Sequence, residues 1–162
     1  MLSPRMTVVF HKSEGARSAW WEAWRPRGAR TTGGHMPLGH GVIPHDLGHM
    51  ATEAALGLEF GFWGLLARGA TFRRGTDRRR TRPGRALIAE HRAELEQAEA
   101  LGNAHHTAWR TGRPTPVRPT FDRFAELWDA IPEGGDLVVE WPSLATTHSG
   151  VHASPLRAVG ST

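Results

Sequence analysis

Strand-like runs at both ends of the chain enclose a helical middle, and that order fixes most of what the fold can be. Thr7 to His11 (TVVFH) and Ser18 to Trp24 (SAWWEAW) are β-branched and aromatic, and the polar KSEGAR between them reads as a hairpin connection. A third such run, Asp136 to Trp141 (DLVVEW), lies more than a hundred residues later and is expected to pair with that hairpin. Between them the apolar spacing changes to a helical period. The order predicts an α+β fold, a small antiparallel sheet of N-terminal hairpin plus C-terminal strand packed against about four helices.

Residues 26 to 44 carry five Gly and three Pro and are expected to form a long loop. Pro44 suits the first turn of a helix, Asp46 complements the positive end of its dipole, and Gly57 is placed to stop it. Residues 59 to 68 (EFGFWGLLAR) read as a short buried helix. Arg85 to Leu101 is the clearest helix, closed by Gly102, while residues 103 to 119 contain three Pro and are expected to be irregular. Thr120 is expected to cap a helix over Phe121 to Ile131. Residues 1–141 are thus expected to form one domain, with 142–162 a disordered tail.

Composition narrows the chemistry. The 162 residues contain no cysteine, which excludes a disulfide framework, a thiol nucleophile and any thiolate metal site. A metal must therefore be held by His, Asp or Glu, and there are ten His. No apolar run reaches the ~20 residues of a bilayer span, so no membrane partner and a cytoplasmic setting are expected. The net charge of +4 is concentrated in Arg73 to Arg85, which holds seven Arg and one Asp. That stretch has no aromatic residue to stack bases and no Gly-rich phosphate cradle, and is expected to be a solvated loop. Binding of nucleic acid or another acidic partner through it is the rival reading. All but one of the 20 basic residues are Arg, a bias that high-GC bacterial genomes produce without any functional demand.

The sharpest chemical pattern is HDLGHMATE. At 100° per residue His45, His49 and Glu53 lie at about 0°, 40° and 80°, opposite an apolar stripe of Leu47, Met50, Ala51 and Ala54. Two imidazoles one turn apart can converge on a divalent cation, and an adjacent acid can handle a proton on water. His45 and Glu53 are about 12 Å apart along a straight helix, so Glu53 either completes the site from the His49 side or orients His49. In the second case His35, His40, His91 or Glu94 are candidates for the third ligand. His105, His106, His148 and His152 are read as bystanders.

The segment HDLGHMATEAALGLEFGFWGLLARG, within residues 44 to 69, resembles a group of bacterial proteins of uncertain function that share an HDLxHxxxE helix followed by a Gly-Phe-aromatic-Gly segment. The resemblance implies that His45, Asp46, His49, Glu53 and Gly61 to Gly64 form one unit. The HDxxH core is also similar to the zinc motif of the ubiquinone-biosynthesis family implicated in oxidative decarboxylation of the quinone ring. That family carries its acid further downstream than Glu53, so only His45, Asp46 and His49 match.

Together these features give an expected function: a small metal-dependent enzyme, a zinc-type hydrolase acting on a small molecule or peptide. His45, His49 and Glu53 are the expected metal ligands, with Asp46 or Glu53 as acid/base. A lyase or decarboxylase, or a non-haem Fe(II) oxygenase, is the alternative chemistry, and a homo-oligomer is compatible with the pattern.

Overall fold

The computed structural model describes residues 4–13, 15, 18–27, 30–37, 43–72 and 80–149, without the side chains of 35–37 and 148–149. Strands β1 (Met6–Lys12), β2 (Ser18–Trp24), β3 (Arg30–Pro37), β4 (Asp136–Trp141) and β5 (Thr146–Ser149) form one sheet in the order β3-β2-β1-β4-β5. Every pairing is antiparallel. The helices are α1 (His45–Ala55), α2 (Phe62–Ala67), α3 (Arg82–Glu90), α4 (Arg92–Arg110) and α5 (Arg118–Ala130). This is the expected α+β fold, with a wider sheet and one more helix. No described helix is long and apolar enough to cross a membrane.

The expected central pairings form. β1 lies between β2 and β4, with Phe10 opposite Trp21 and Leu137. Alternation sends Val8 and Phe10, Trp21, Leu137 and Val139 to one face, where they meet Leu47, Met50, Trp63, Phe121 and Phe124 in the main core. Full burial of side chains of this size stabilises the fold by about 1.5–3 kcal/mol each. Trp20 and Trp24 point to the other face, as the two-residue period requires. Trp20 stacks there on His11, with ring centroids 4.0 Å apart.

Five expectations are corrected. Residues 30 to 37 are not loop but the edge strand β3; Gly33 and Gly34, which read as breakers, lie where a Cβ would meet the Trp21 ring at 2.7 and 2.4 Å. Within the expected disordered tail, Thr146–Ser149 pairs with β4, and residues from 150 onward lie outside the described residues. α3 starts at Arg82 rather than Arg85, capped by the Thr81 hydroxyl, which accepts from Gly84 N–H at 3.0 Å. Gly102 does not end a helix: α4 begins after a break at His91 and runs on to Arg110, so residues 103 to 110 are helical. α5 starts at Arg118, with Pro119 in its first turn, so Thr120 is inside it and not its cap.

Candidate metal centre

α1 begins at His45 after Pro44 and ends ahead of Gly57, whose φ of 65° suits glycine at a helix stop. Its apolar stripe faces the main core, and its other face is also covered, by α4. His49 is only 4% exposed and Glu53 only 2%. α1 and α4 run in opposite senses and interlock through two glycines. A Cβ on Gly102 would stand 2.4 Å from His49 Nδ1, and one on Gly48 would stand 2.7 Å from His106 Nδ1. Each glycine therefore admits an imidazole of the opposite helix at a spacing that no alanine allows.

That close approach assembles a polar cluster. His45 Nε2 and His49 Nε2 are 3.1 Å apart. The Asn103 amide oxygen on α4 lies 3.2 Å from the first and 3.1 Å from the second. The other nitrogen of each ring faces a carboxylate: His45 Nδ1 is 3.3 Å from Asp46 Oδ1, and His49 Nδ1 is 3.7 Å from Glu99 Oε2. Asp46 is held in place from the sheet side, where Trp21 Nε1–H donates to its Oδ2 at 2.8 Å. Trp63 Nε1–H donates to the Asp46 backbone carbonyl at 3.0 Å. The side chain of His45 is 41% exposed, so the cluster opens on that side.

The electrostatics follow from this arrangement. The Asp46 bond raises the His45 pKa against the effect of burial. Burial lowers that of His49, and a charge on His45 lowers it further. Burial opposes ionisation of Asp46, but the His45 and Trp21 bonds outweigh it and hold the carboxyl below its usual range. If both rings give their Nδ1 protons to carboxylates, two nitrogen lone pairs face each other across 3.1 Å. A proton or a cation between them removes that repulsion.

Glu53 does not join the pair. Its carboxyl accepts from the backbone N–H groups of Trp63 at 3.0 Å and Gly64 at 3.5 Å, at the start of α2. Burial pushes its pKa up to about 8 despite those bonds. The N-terminal backbone of α2 thus takes the carboxyl that was expected as metal ligand and acid/base. Asp46, the other expected acid/base, is committed to Trp21 and His45.

Of the expected third ligands, His91 and Glu94 bond each other at 2.9 Å, and His91 stacks on Phe60. Glu94 lies about 14 Å along α4 from Asn103, too far to share an ion with the pair. His40 and the His35 side chain lie outside the described residues. So do Arg73 to Arg79, most of the basic segment.

Asn103 and His106 escape the sequence reading because Gly102 looks like a helix stop, and Glu99 because nothing local to its helix signals that α1 packs against it. His106, expected in a loop, is buried near His45 at a centroid distance of 6.2 Å. Burial lowers its pKa to about 4, and its Nε2 has no hydrogen-bond partner among the described residues.

Two other features stand apart. A cleft of about 310 Å³ is lined by residues 57 to 61 with Glu94 and Gln97, and includes neither histidine of the pair. On the far face of the sheet, buried His11 lies between Asp136 on β4 and Glu22 on β2, with Nε2 2.8 Å from Glu22 Oε2. Arg30 on β3 donates to Glu22 at 2.8 Å, which completes an ionic chain across four strands. No family model, curated protein or solved structure matches the chain.

Proposed function

We propose that the protein is a small divalent-metal-dependent enzyme, a zinc-type hydrolase, with its ion on His45 and His49. One observation carries the reading: the two Nε2 atoms converge to 3.1 Å while both Nδ1 atoms face carboxylates. An ion with bonds of about 2.0–2.1 Å separates two ligand nitrogens by about 3.4 Å at the tetrahedral angle and about 2.9 Å at a right angle. The observed spacing lies between these values. Carboxylates behind metal-bound imidazoles fix the tautomer and raise ligand basicity, and Asp46 does this for His45 at close range.

A zinc-type ion held there supplies Lewis acidity to water or to a substrate oxygen. Asp46 acts as a positioning residue, and substrate, a small molecule or peptide, approaches from the exposed side of His45. With Asp46 and Glu53 both committed elsewhere and Glu99 set against the Nδ1 side of His49, no carboxylate among the described residues joins the Nε2 pair as a two-His-one-carboxylate iron site requires, which favours the hydrolytic reading over the oxygenase one. A cytoplasmic setting belongs to the same proposal.

The test is a panel of ester, amide and phosphate-ester substrates offered to the protein before and after chelation. Turnover that chelator removes, Zn²⁺ restores and His49→Ala abolishes supports the reading. Turnover indifferent to chelator and to both His45→Ala and His49→Ala refutes it.

A further inference from the structure

Two imidazoles alone make a weak metal site, and among the described residues no group of three or more His, Asp or Glu gathers to hold an ion. Among the described residues, a third donor is then of another type. Asn103 Oδ1 forms with the two Nε2 atoms a nearly equilateral triangle, its sides 3.1, 3.1 and 3.2 Å. An ion above that triangle reaches all three atoms at bonding distance, as one face of a tetrahedral or octahedral shell.

We propose that Asn103 is the third protein ligand, so that the ion ties α4 to α1. This inference rests on the proposed metal site at the histidine pair. The placement of Asn103 is built into the helix contact: Gly102, the residue before it, lets the His49 ring lie against α4 and brings the amide to the pair. The donor set of His45, His49 and Asn103 is uncharged. The ion therefore keeps its full positive charge toward substrate, and the nearest negative groups, Asp46 and Glu99, stand behind the imidazoles. A neutral set of this kind leaves the open position attractive to an anionic oxygen of substrate or to hydroxide.

The alternative role for Asn103 is only to accept a hydrogen bond from whichever histidine holds the shared proton. Affinity separates the two. Partners behind ligands cost about 10–100-fold in metal affinity when removed, so loss of a ligand is expected to reach or pass the upper end of that range. Zn²⁺ affinity is measured by competition with a chromophoric chelator for wild type, Asn103→Ala, Asn103→Asp and His45→Ala, with circular dichroism to verify folding. The proposal expects a loss of about 100-fold or more in Asn103→Ala. It also expects affinity at or above wild type in Asn103→Asp, where an anionic oxygen takes the same place. The visible spectrum of the Co²⁺-loaded protein should differ between wild type and Asn103→Asp, because the ligand itself has changed. If wild type binds Zn²⁺ and His45→Ala does not, but Asn103→Ala matches wild type in affinity and Co²⁺ spectrum, this proposal is overturned and the histidine-pair reading stands. If wild type binds no Zn²⁺, both fall.

Discussion

Replacing Glu53 by glutamine isolates the cost of a buried carboxyl that the metal reading no longer needs. Glu53 is 2% exposed, and burial pushes its pKa from 4.5 to about 8, with the Trp63 and Gly64 N–H groups offsetting part of the effect. A carboxyl raised in the folded state contributes stability that is fully present below pH 4.5 and is lost as pH rises through about 8. At about 1.4 kcal/mol per pH unit, that interval amounts to about 5 kcal/mol. This is a large share of the 5–15 kcal/mol typical of a domain, so the effect is well within reach of measurement. Glutamine keeps an oxygen for the two N–H groups and never ionises. Urea unfolding of both proteins at pH 5, 7 and 8.5 gives the comparison, and taking the difference cancels every other titrating group. The variant is expected within about 1 kcal/mol of wild type at pH 5 and more stable by about 3–5 kcal/mol at pH 8.5. Its Zn²⁺ affinity should be unchanged. A stability difference that does not vary with pH refutes the burial argument, and a lost Zn²⁺ site returns Glu53 to the metal.

Other expectations follow from the same contacts. Gly102→Ala should destabilise by about 1–3 kcal/mol in thermal or urea unfolding and weaken Zn²⁺ binding, because its Cβ meets His49 Nδ1, although helix propensity alone favours Ala by about 1 kcal/mol. Trp21→Phe removes the donor to Asp46 Oδ2 and should cost about 1–3 kcal/mol in urea unfolding. Burial lowers the His11 pKa, but the Asp136 and Glu22 bonds and charges outweigh it and hold the pKa above 6.5. The stability His11 contributes is therefore fully present below pH 6.5 and is lost as pH rises through the raised value. Nitrogen-15 NMR at pH 6.5 should show both ring nitrogens protonated, since a neutral ring could donate to only one of the two carboxylates.

What the sequence discloses depends on whether each signal is local. The β1–β2 hairpin, β4 and α1 carry their own periodicity, and their pairing and facing follow from it. Glycine misleads because its use here is tertiary. Gly33 and Gly34 sit in a strand to make room for Trp21, and Gly102 sits inside a helix to make room for His49. Reading them as breakers hides β3 and the second half of α4, and with it Asn103 and His106. The helical wheel correctly sets Glu53 on the face of His45 and His49. It has no means of showing that the start of α2, ten residues on, takes the carboxyl. β5 is short and Ser/Thr-rich, and its only strand signal is the β4 edge it completes.

The central claim is that His45 and His49 hold one divalent ion, and the direct test is metal per chain by elemental analysis. Wild type and the His45→Ala, His49→Ala double variant are each loaded with excess Zn²⁺ and freed of unbound ion by gel filtration. The account predicts one Zn²⁺ per wild-type chain and essentially none in the folded variant. A wild type that retains no metal, or a variant that retains as much, contradicts it.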